Sequence, residues 1–257
     1  MPSTLSVAIV TLNEEANLPR TLASVRWADE IVVVDSGSSD RTCEIARGYG
    51  ARVVVESWRG YTAQKNYALE LCAKDWILSL DADEEVSPEL VEEIRAVLAG
   101  GMSAGGYFDG YSMPRRNLFL GRWMKHGGFY PDPKLRLFRR GQAYSTGRDP
   151  HDRFEMKESK RAGRLKGALI HHTYPTLNLY LEHMNRYSSV WNRVPGTVAQ
   201  KFSINAIVLR PLFTFIYNYC LRLGFLDGRE GLLLHMYHAG YVSWKYAKGW
   251  EMGRKRE

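Results

Sequence analysis

Two carboxylates one residue apart, Asp81-Ala-Asp83, follow the apolar run Trp76-Ile-Leu-Ser-Leu80 and lead directly into Glu84 and Glu85. At the end of a buried strand such a cluster repels itself unless a cation sits within it. Hard oxygen donors of this kind suit Mg²⁺ or Mn²⁺, which can bridge to phosphate oxygens. The competing reading is an acidic turn ahead of a helix capped at Ser87-Pro88-Glu89, with Leu90, Val91, Ile94 and Leu98 as its buried face. A second group is basic: Arg115, Arg116, Arg122, Lys125, Lys134, Arg136, Arg139 and Arg140 follow one another with aromatics between. That mixture fits single-stranded nucleic acid, and equally a sugar stacked on aromatics with its phosphates paired to arginine. No recognised nucleic-acid motif accompanies it, so the sugar phosphate is favoured and no nucleic-acid partner is expected. In Ile170-His-His-Thr-Tyr174, which follows an apolar run, a strand would send His171 and His172 to opposite sides, and one of them can enter a site.

These groups need a scaffold, and the front of the chain supplies one. Four apolar, β-branched runs, Leu5 to Val10, Ile31 to Asp35, Arg52 to Glu56 and Trp76 to Leu80, read as strands buried on both faces. Stretches of helical spacing lie between them: Leu18, Leu22 and Val25; Thr42 to Tyr49, closed by Gly50; Gln64 to Leu71. The alternation predicts an α/β fold with a doubly wound, mostly parallel sheet. Ligands of such sheets bind beyond the carboxyl ends of the strands. Here those ends read Thr11-Leu-Asn-Glu-Glu15, Asp35-Ser-Gly-Ser-Ser-Asp40 and Asp81-Ala-Asp-Glu-Glu85. No GxGxxG follows the first strand and no GxxxxGK[ST] occurs, which argues against a dinucleotide dehydrogenase and a P-loop enzyme.

Taken together and in order, TLNEE, VVDSGSSDRT, AQKNYAL and LSLDADEE resemble the family-2 glycosyltransferases of the GT-A fold, over roughly residues 5 to 90. The resemblance implies a nucleotide-diphosphate sugar donor, usually uridine-based, and a divalent metal, Mg²⁺ or Mn²⁺. It also implies roles: Thr11, Asn13 and Glu15 in the nucleoside pocket, Asp35 on the base edge, Lys65 toward the diphosphate, Asp81 on ribose or metal, and Asp83 on the metal. Many relatives stack an aromatic residue on the base; this chain has Leu12 there.

The run His126-Gly-Gly-Phe-Tyr-Pro-Asp-Pro-Lys-Leu-Arg-Leu-Phe-Arg139, then His151-Asp152 and Ile170-His-His-Thr-Tyr174, resembles the bacterial lipopolysaccharide core β-glucosyltransferase branch, where the His-Asp pair is usually His-Glu. Inverting transfer needs a carboxylate opposite the leaving diphosphate, to deprotonate the acceptor hydroxyl. Asp152 is the candidate base. Asp132, in the Tyr-Pro-Asp turn, is its competitor and more simply shapes the acceptor pocket. His171 takes a metal or diphosphate contact by family position, and Arg136 pairs with donor or acceptor phosphate. The activity implied is transfer of a hexose, glucose first, to a saccharide hydroxyl of a lipopolysaccharide inner core or another cell-envelope glycan. The rivals are a polyprenyl-phosphate sugar transferase and an inactive nucleotide-binding scaffold.

The 257 residues carry 35 Lys and Arg against 28 Asp and Glu, a net charge of +7. Residues 1 to 100 sum to −8 and the remainder to +15, so the basic back half can meet phosphorylated ligands or an anionic membrane. Three scattered cysteines, Cys43, Cys72 and Cys220, give no disulfide framework or zinc pattern, and a reducing, cytoplasmic setting is expected. No secretory signal is read at the start. The boundary is expected near residue 175: a GT-A catalytic domain over 1–175 and a helical, amphipathic region over 176–257. In the latter, Leu177, Tyr180, Leu181, Met184, Tyr187, Trp191 and Val194 share a helical stripe. The apolar stretch Ile204 to Leu226 is broken by Arg210, Pro211 and Arg222, too short a run to span a bilayer. With the basic, aromatic residues up to the Arg-Lys-Arg-Glu end it suits the inner face of the cytoplasmic membrane, where a lipid-linked acceptor would lie. Internal packing or a homodimer contact are the alternatives.

Overall fold

The computed structural model describes residues 2–100, 108–148, 151–191 and 202–254. The four β-branched runs form β1 (Leu5–Thr11), β2 (Glu30–Asp35), β3 (Arg52–Val55) and β4 (Trp76–Asp81), parallel neighbours in the order β3-β2-β1-β4. Alternation sends Val7, Ile9, Val33 and Leu78 into one core and Ala8, Val32, Val34 and Ile77 into another, so both faces of the sheet are apolar. The first core is covered by α1 (Leu18–Ser24), α2 (Thr42–Gly48) and α4 (Pro88–Leu98), through Leu18, Leu22, Ala46, Leu90 and Ile94. The second is covered by α3 (Tyr61–Leu71), through Ala68 and Leu69. Each large aliphatic buried there contributes about 1.5–3 kcal/mol. Ser87 caps α4 by accepting from the Leu90 N–H, with Pro88 in the first turn, as the sequence pattern requires. Helix α3 begins at Tyr61, three residues earlier than the periodicity places it, after Gly60 turns the chain at φ +94°.

Further strands are β5 (Glu84–Val86), β6 (Gly110–Met113), β7 (Arg115–Phe119), β8 (Arg122–Trp123), β9 (Lys134–Arg139), β10 (Ala143–Arg148), β11 (His151–Met156), β12 (Ala162–Arg164) and β13 (Leu169–Tyr174). β9 joins β4 antiparallel, then β6 and β12 follow, completing a seven-stranded, mostly parallel sheet. β10 and β11 form a hairpin, and β5 pairs antiparallel with the start of β13.

The chain divides into two compact units, Met1–Arg115 with Asp132–His172, and Arg116–Pro131 with Thr173–Glu257. Segment 116–131, which the sequence reading counts with the catalytic domain, gathers with the second unit because Phe119, Met124 and Phe129 share a core with Tyr180, Met184 and Leu234. That unit holds α5 (Leu177–Trp191), α6 (Arg210–Phe215) between two π-helical segments, Asn205–Leu209 and Ile216–Leu221, and α7 (Gly228–Arg254). The expected stripe on α5 enters this core through Leu177, Tyr180, Leu181, Met184 and Tyr187; Val194 and the end after Arg254 lie outside the described residues. No helix among the described residues is long and apolar enough to cross a membrane.

Inside the second unit His235 is 1% exposed and seated where Gly127 and Gly224 leave no room for a side chain. Burial, helped by the neighbouring His238, pushes its pKa down to about 4. The folded state therefore keeps this ring neutral while the unfolded chain binds a proton below about pH 6.5, so stability falls as pH drops from there toward 4. Urea unfolding between pH 4 and 7 should show that slope, and His235→Leu should reduce it, leaving the part that His238, also pushed down by burial, contributes. A variant as pH-sensitive as the parent would place the responsible group elsewhere.

Candidate active site

The strand order turns back at β1: the chain runs outward through β2 and β3, then returns to place β4 on the other side of β1. Crevices form at such reversals, and the register sets Asp81 beside Val10 and Asp35 beside Thr11. The loops after β1 and β2 interlock. Ser39 N donates to Asn13 Oδ1 at 2.8 Å, Asn13 N to Ser38 Oγ at 2.8 Å, Glu14 N to Thr42 Oγ1 at 2.8 Å, and Arg41 N to Glu15 Oε2 at 3.0 Å. Asn13 takes a left-handed turn at φ +54° to do so, a conformation its short polar side chain tolerates. Asp35 is 1% exposed, and its carboxylate accepts from Gly37 N, Ser38 N and Ser38 Oγ. Thr11 is buried beside it.

Asp81 ends β4, and the Thr21 hydroxyl holds the following turn by donating to the Ala82 carbonyl at 2.7 Å. Lys65, buried on α3, places Nζ 2.8 Å from Asp81 Oδ1 and 2.9 Å from Asp152 Oδ2. Arg136 on β9 pairs with Asp81 and, at 2.7 Å, with Glu84. Arg115 continues the chain of charge, 3.1 Å from Glu84 and 2.8 Å from Asp132, which Lys134 also holds at 2.9 Å. The carboxylates of Asp81, Glu84, Asp132 and Asp152 are thus balanced by the cations of Lys65, Arg115, Lys134 and Arg136. A separate pair stands alongside: His171 Nε2 lies 3.2 Å from Asp83 Oδ2, while His172, on the opposite side of β13, meets Glu85 at 3.0 Å.

The neighbours of Lys65 on α3 fix this arrangement. Gln64 Nε2 donates to Ser36 Oγ at 3.2 Å and to the Glu56 carbonyl at 3.1 Å. Asn66 exchanges two hydrogen bonds with the Ser145 backbone, at 2.7 and 3.0 Å, and so pins the β10–β11 hairpin that carries Asp152 opposite Gly147.

The glycosyl transferase family 2 model matches residues 6–186, well over half of the chain. The chain belongs to that family. It is 31% identical over 238 residues to an uncharacterized glycosyltransferase of Rickettsia typhi, covering 89% of this chain and 80% of that one. It is 28% identical over 256 residues to the lipopolysaccharide core biosynthesis glycosyltransferase LpsC of Rhizobium meliloti, covering 95% and 93%. Among solved structures, the TarS fragment 1–349 of S. aureus in complex with UDP aligns over 99% of this chain and 92% of that one, at 16% identity and a TM-score of 0.48. The fold is GT-A, and the protein is a glycosyltransferase.

In this family 2 enzyme the electrostatics follow from the contacts. Burial would raise the Asp81 carboxyl, but Arg136 and Lys65 hold it well below the usual range. Burial would also raise Asp83, and His171 more than offsets it. Glu14 goes the other way: burial and the charges of Asp83, Asp40 and Asp81 push it up although Asn17 donates to it. Asp132 stays low because Arg115 and Lys134 outweigh its burial.

The structure therefore joins Lys65, Asp81, Arg136 and Asp152 directly, links Asp132 to them through Glu84 and Arg115, pairs Asp83 with His171, and sets Thr11 and Asp35 at the ends of β1 and β2 with Asn13 and Glu15 in the loop after β1. Sequence reasoning gave Glu14 no site role, and it placed Glu84 and Arg115 only within the acidic cluster and the basic run, with no role of their own. Strand alternation after Asp83 would have turned Glu84 inward and Glu85 outward. Nothing distinguishes Arg115 among the basic residues around it.

Proposed function

We propose that this glycosyltransferase moves a hexose, glucose first, from a nucleotide-diphosphate sugar to a saccharide hydroxyl with inversion, on a lipopolysaccharide inner core or another cell-envelope glycan. The similarity to LpsC over 95% of the chain supports that acceptor class. The observation that carries the chemistry is the Lys65 bridge: one buried ammonium within 3 Å of Asp81 and Asp152 sets a donor-side carboxylate and an acceptor-side carboxylate within reach of one sugar.

In this reading Thr11, Asn13, Glu15 and Asp35 hold the nucleoside, uridine favoured, and Asp81 meets its ribose. Lys65 and Arg136 face the diphosphate. Asp152 accepts the proton of the acceptor hydroxyl as that oxygen attacks the anomeric carbon and the nucleoside diphosphate leaves from the opposite face. Asp132, fixed between Arg115 and Lys134, shapes the acceptor side.

The residues also fit Mg²⁺ or Mn²⁺. Asp83 Oδ2 and His171 Nε2 lie 3.2 Å apart, and a carboxylate oxygen beside an imidazole nitrogen is a donor pair that suits Mn²⁺ and, through the carboxylate, Mg²⁺. Asp83 and His171 would hold the ion, which supplies charge neutralisation at the leaving diphosphate. No group of three or more candidate ligands is gathered among the described residues.

The lipid-linked acceptor would be met at the inner face of the cytoplasmic membrane, with the enzyme bound peripherally. Hydrolysis and transfer measured over UDP-, GDP- and ADP-sugars with Mn²⁺ or Mg²⁺ test the reading. Metal-dependent turnover of a UDP-hexose is expected; saturable nucleic-acid binding with no turnover of any nucleotide sugar would overturn it.

A further inference from the structure

Residues 205–221 form a continuous helical stretch in which π-helical segments flank α6. Its exposed apolar residues come in steps of four: Ile204, then Val208 and Leu209, Leu212 and Phe213, Ile216 and Tyr217, and Leu221, each between 42% and 67% exposed. In a pure α-helix a four-residue repeat drifts around the axis by about 40° per step. The wider π turns drift the other way, so alternating the two keeps the stripe on one side. The opposite side is turned inward: Pro211 is buried, and Ser243 on α7 donates to the Ile207 carbonyl at 2.8 Å.

Between this stretch and α7 lies an open groove of about 460 Å³, lined by Arg210, Phe213, Tyr241, Lys245 and Tyr246 among others. Two cations converge on one ring there. Arg210 lies 5.2 Å from the Tyr246 ring centre and donates to its hydroxyl at 2.6 Å, and Lys245 Nζ lies 5.8 Å from the same centre. No acidic residue occurs from Phe202 to Leu226.

We propose that this groove is a binding site for the phosphate of an anionic phospholipid, with the apolar stripe of 204–221 lying in the bilayer interface beside it. A basic groove next to an exposed apolar, aromatic stripe matches the headgroup and upper acyl region of such a membrane. A second copy of the chain is a poorer match, because the 202–226 wall of the groove offers Arg210 and Lys245 of that copy no carboxylate. The inference deepens the membrane-face reading given above and rests on it, but its test does not use sugar transfer.

The test is co-sedimentation of the full chain with phosphatidylcholine vesicles containing about 30% phosphatidylglycerol, compared with pure phosphatidylcholine. Each basic side chain near an anionic surface contributes about fivefold to partitioning. Arg210→Gln with Lys245→Gln should therefore lower binding to anionic vesicles about 20- to 30-fold, and Phe213→Ser should lower it at salt concentrations where charge is screened. Arg210 and Phe213 are exposed and Lys245 is half-buried, and unchanged donor hydrolysis by either variant reports that it is folded. Any of these outcomes overturns the proposal: equal binding to neutral and anionic vesicles, a double variant that binds as the parent does, or a dimer in analytical ultracentrifugation that Phe213→Ser dissociates. Inorganic phosphate at millimolar concentration protecting the groove as well as vesicles do would also overturn it, assigning the site to a free anion. Vesicle binding without any turnover would leave the groove standing and count against the sugar-transfer reading alone.

Discussion

Asp152→Asn should lower transfer to an acceptor by about 10²- to 10⁴-fold, the usual contribution of a general base, while the donor still binds. The substitution preserves volume and leaves Lys65 its contact with Asp81, so the donor side keeps its geometry. Single-turnover transfer and donor titration separate the two effects. Asp132→Asn is the control: that carboxylate is already committed to Arg115 and Lys134, and the change should be the milder one. If Asp132→Asn proves the more damaging, the base is Asp132 and Asp152 is a partner for Lys65.

Asp83→Ala should lower turnover at least about a hundredfold, because charge neutralisation at a leaving diphosphate is worth several kcal/mol. The loss should appear in turnover with little change in the thermal midpoint, since Asp83 touches His171 and is not part of the Lys65–Arg136 network that ties β4 to β9 and β11. Titration of Mn²⁺ against parent and variant by calorimetry gives an independent readout. A folded variant with parental turnover would return the acidic turn to a structural role ahead of α4.

The parts legible in the sequence are those governed by short-range pattern. β1, β2 and β4 announce themselves because both faces of each are buried, which forces continuous apolar runs. The candidate site follows, since parallel strands put their carboxyl ends in one place. What stayed hidden depends on distance along the chain. Glu84 is fully buried and meets cations 31 and 52 residues later, Arg115 and Arg136, and no local rule selects those two from the basic residues around them. Segment 116–131 was equally opaque: the run around Tyr-Pro-Asp reads as one motif, yet the boundary between units falls between Pro131 and Asp132. Only the packing of Phe119 and Met124 reveals where the first part belongs.

The triplet Gln64-Lys65-Asn66 makes the length of α3 a tighter constraint than its composition. Its three side chains leave the helix at successive steps of about 100° and reach different parts of the site: the loops after β2 and β3, the β4 and β11 carboxylates, and the β10 backbone. A point substitution breaks one of these connections. One residue inserted or deleted ahead of Gln64 rotates all three at once, disconnecting the loops after β2 and β3, the charge bridge and the hairpin together, so this helix should admit exchanges readily outside the triplet and the buried Ala68 and Leu69, and indels almost nowhere.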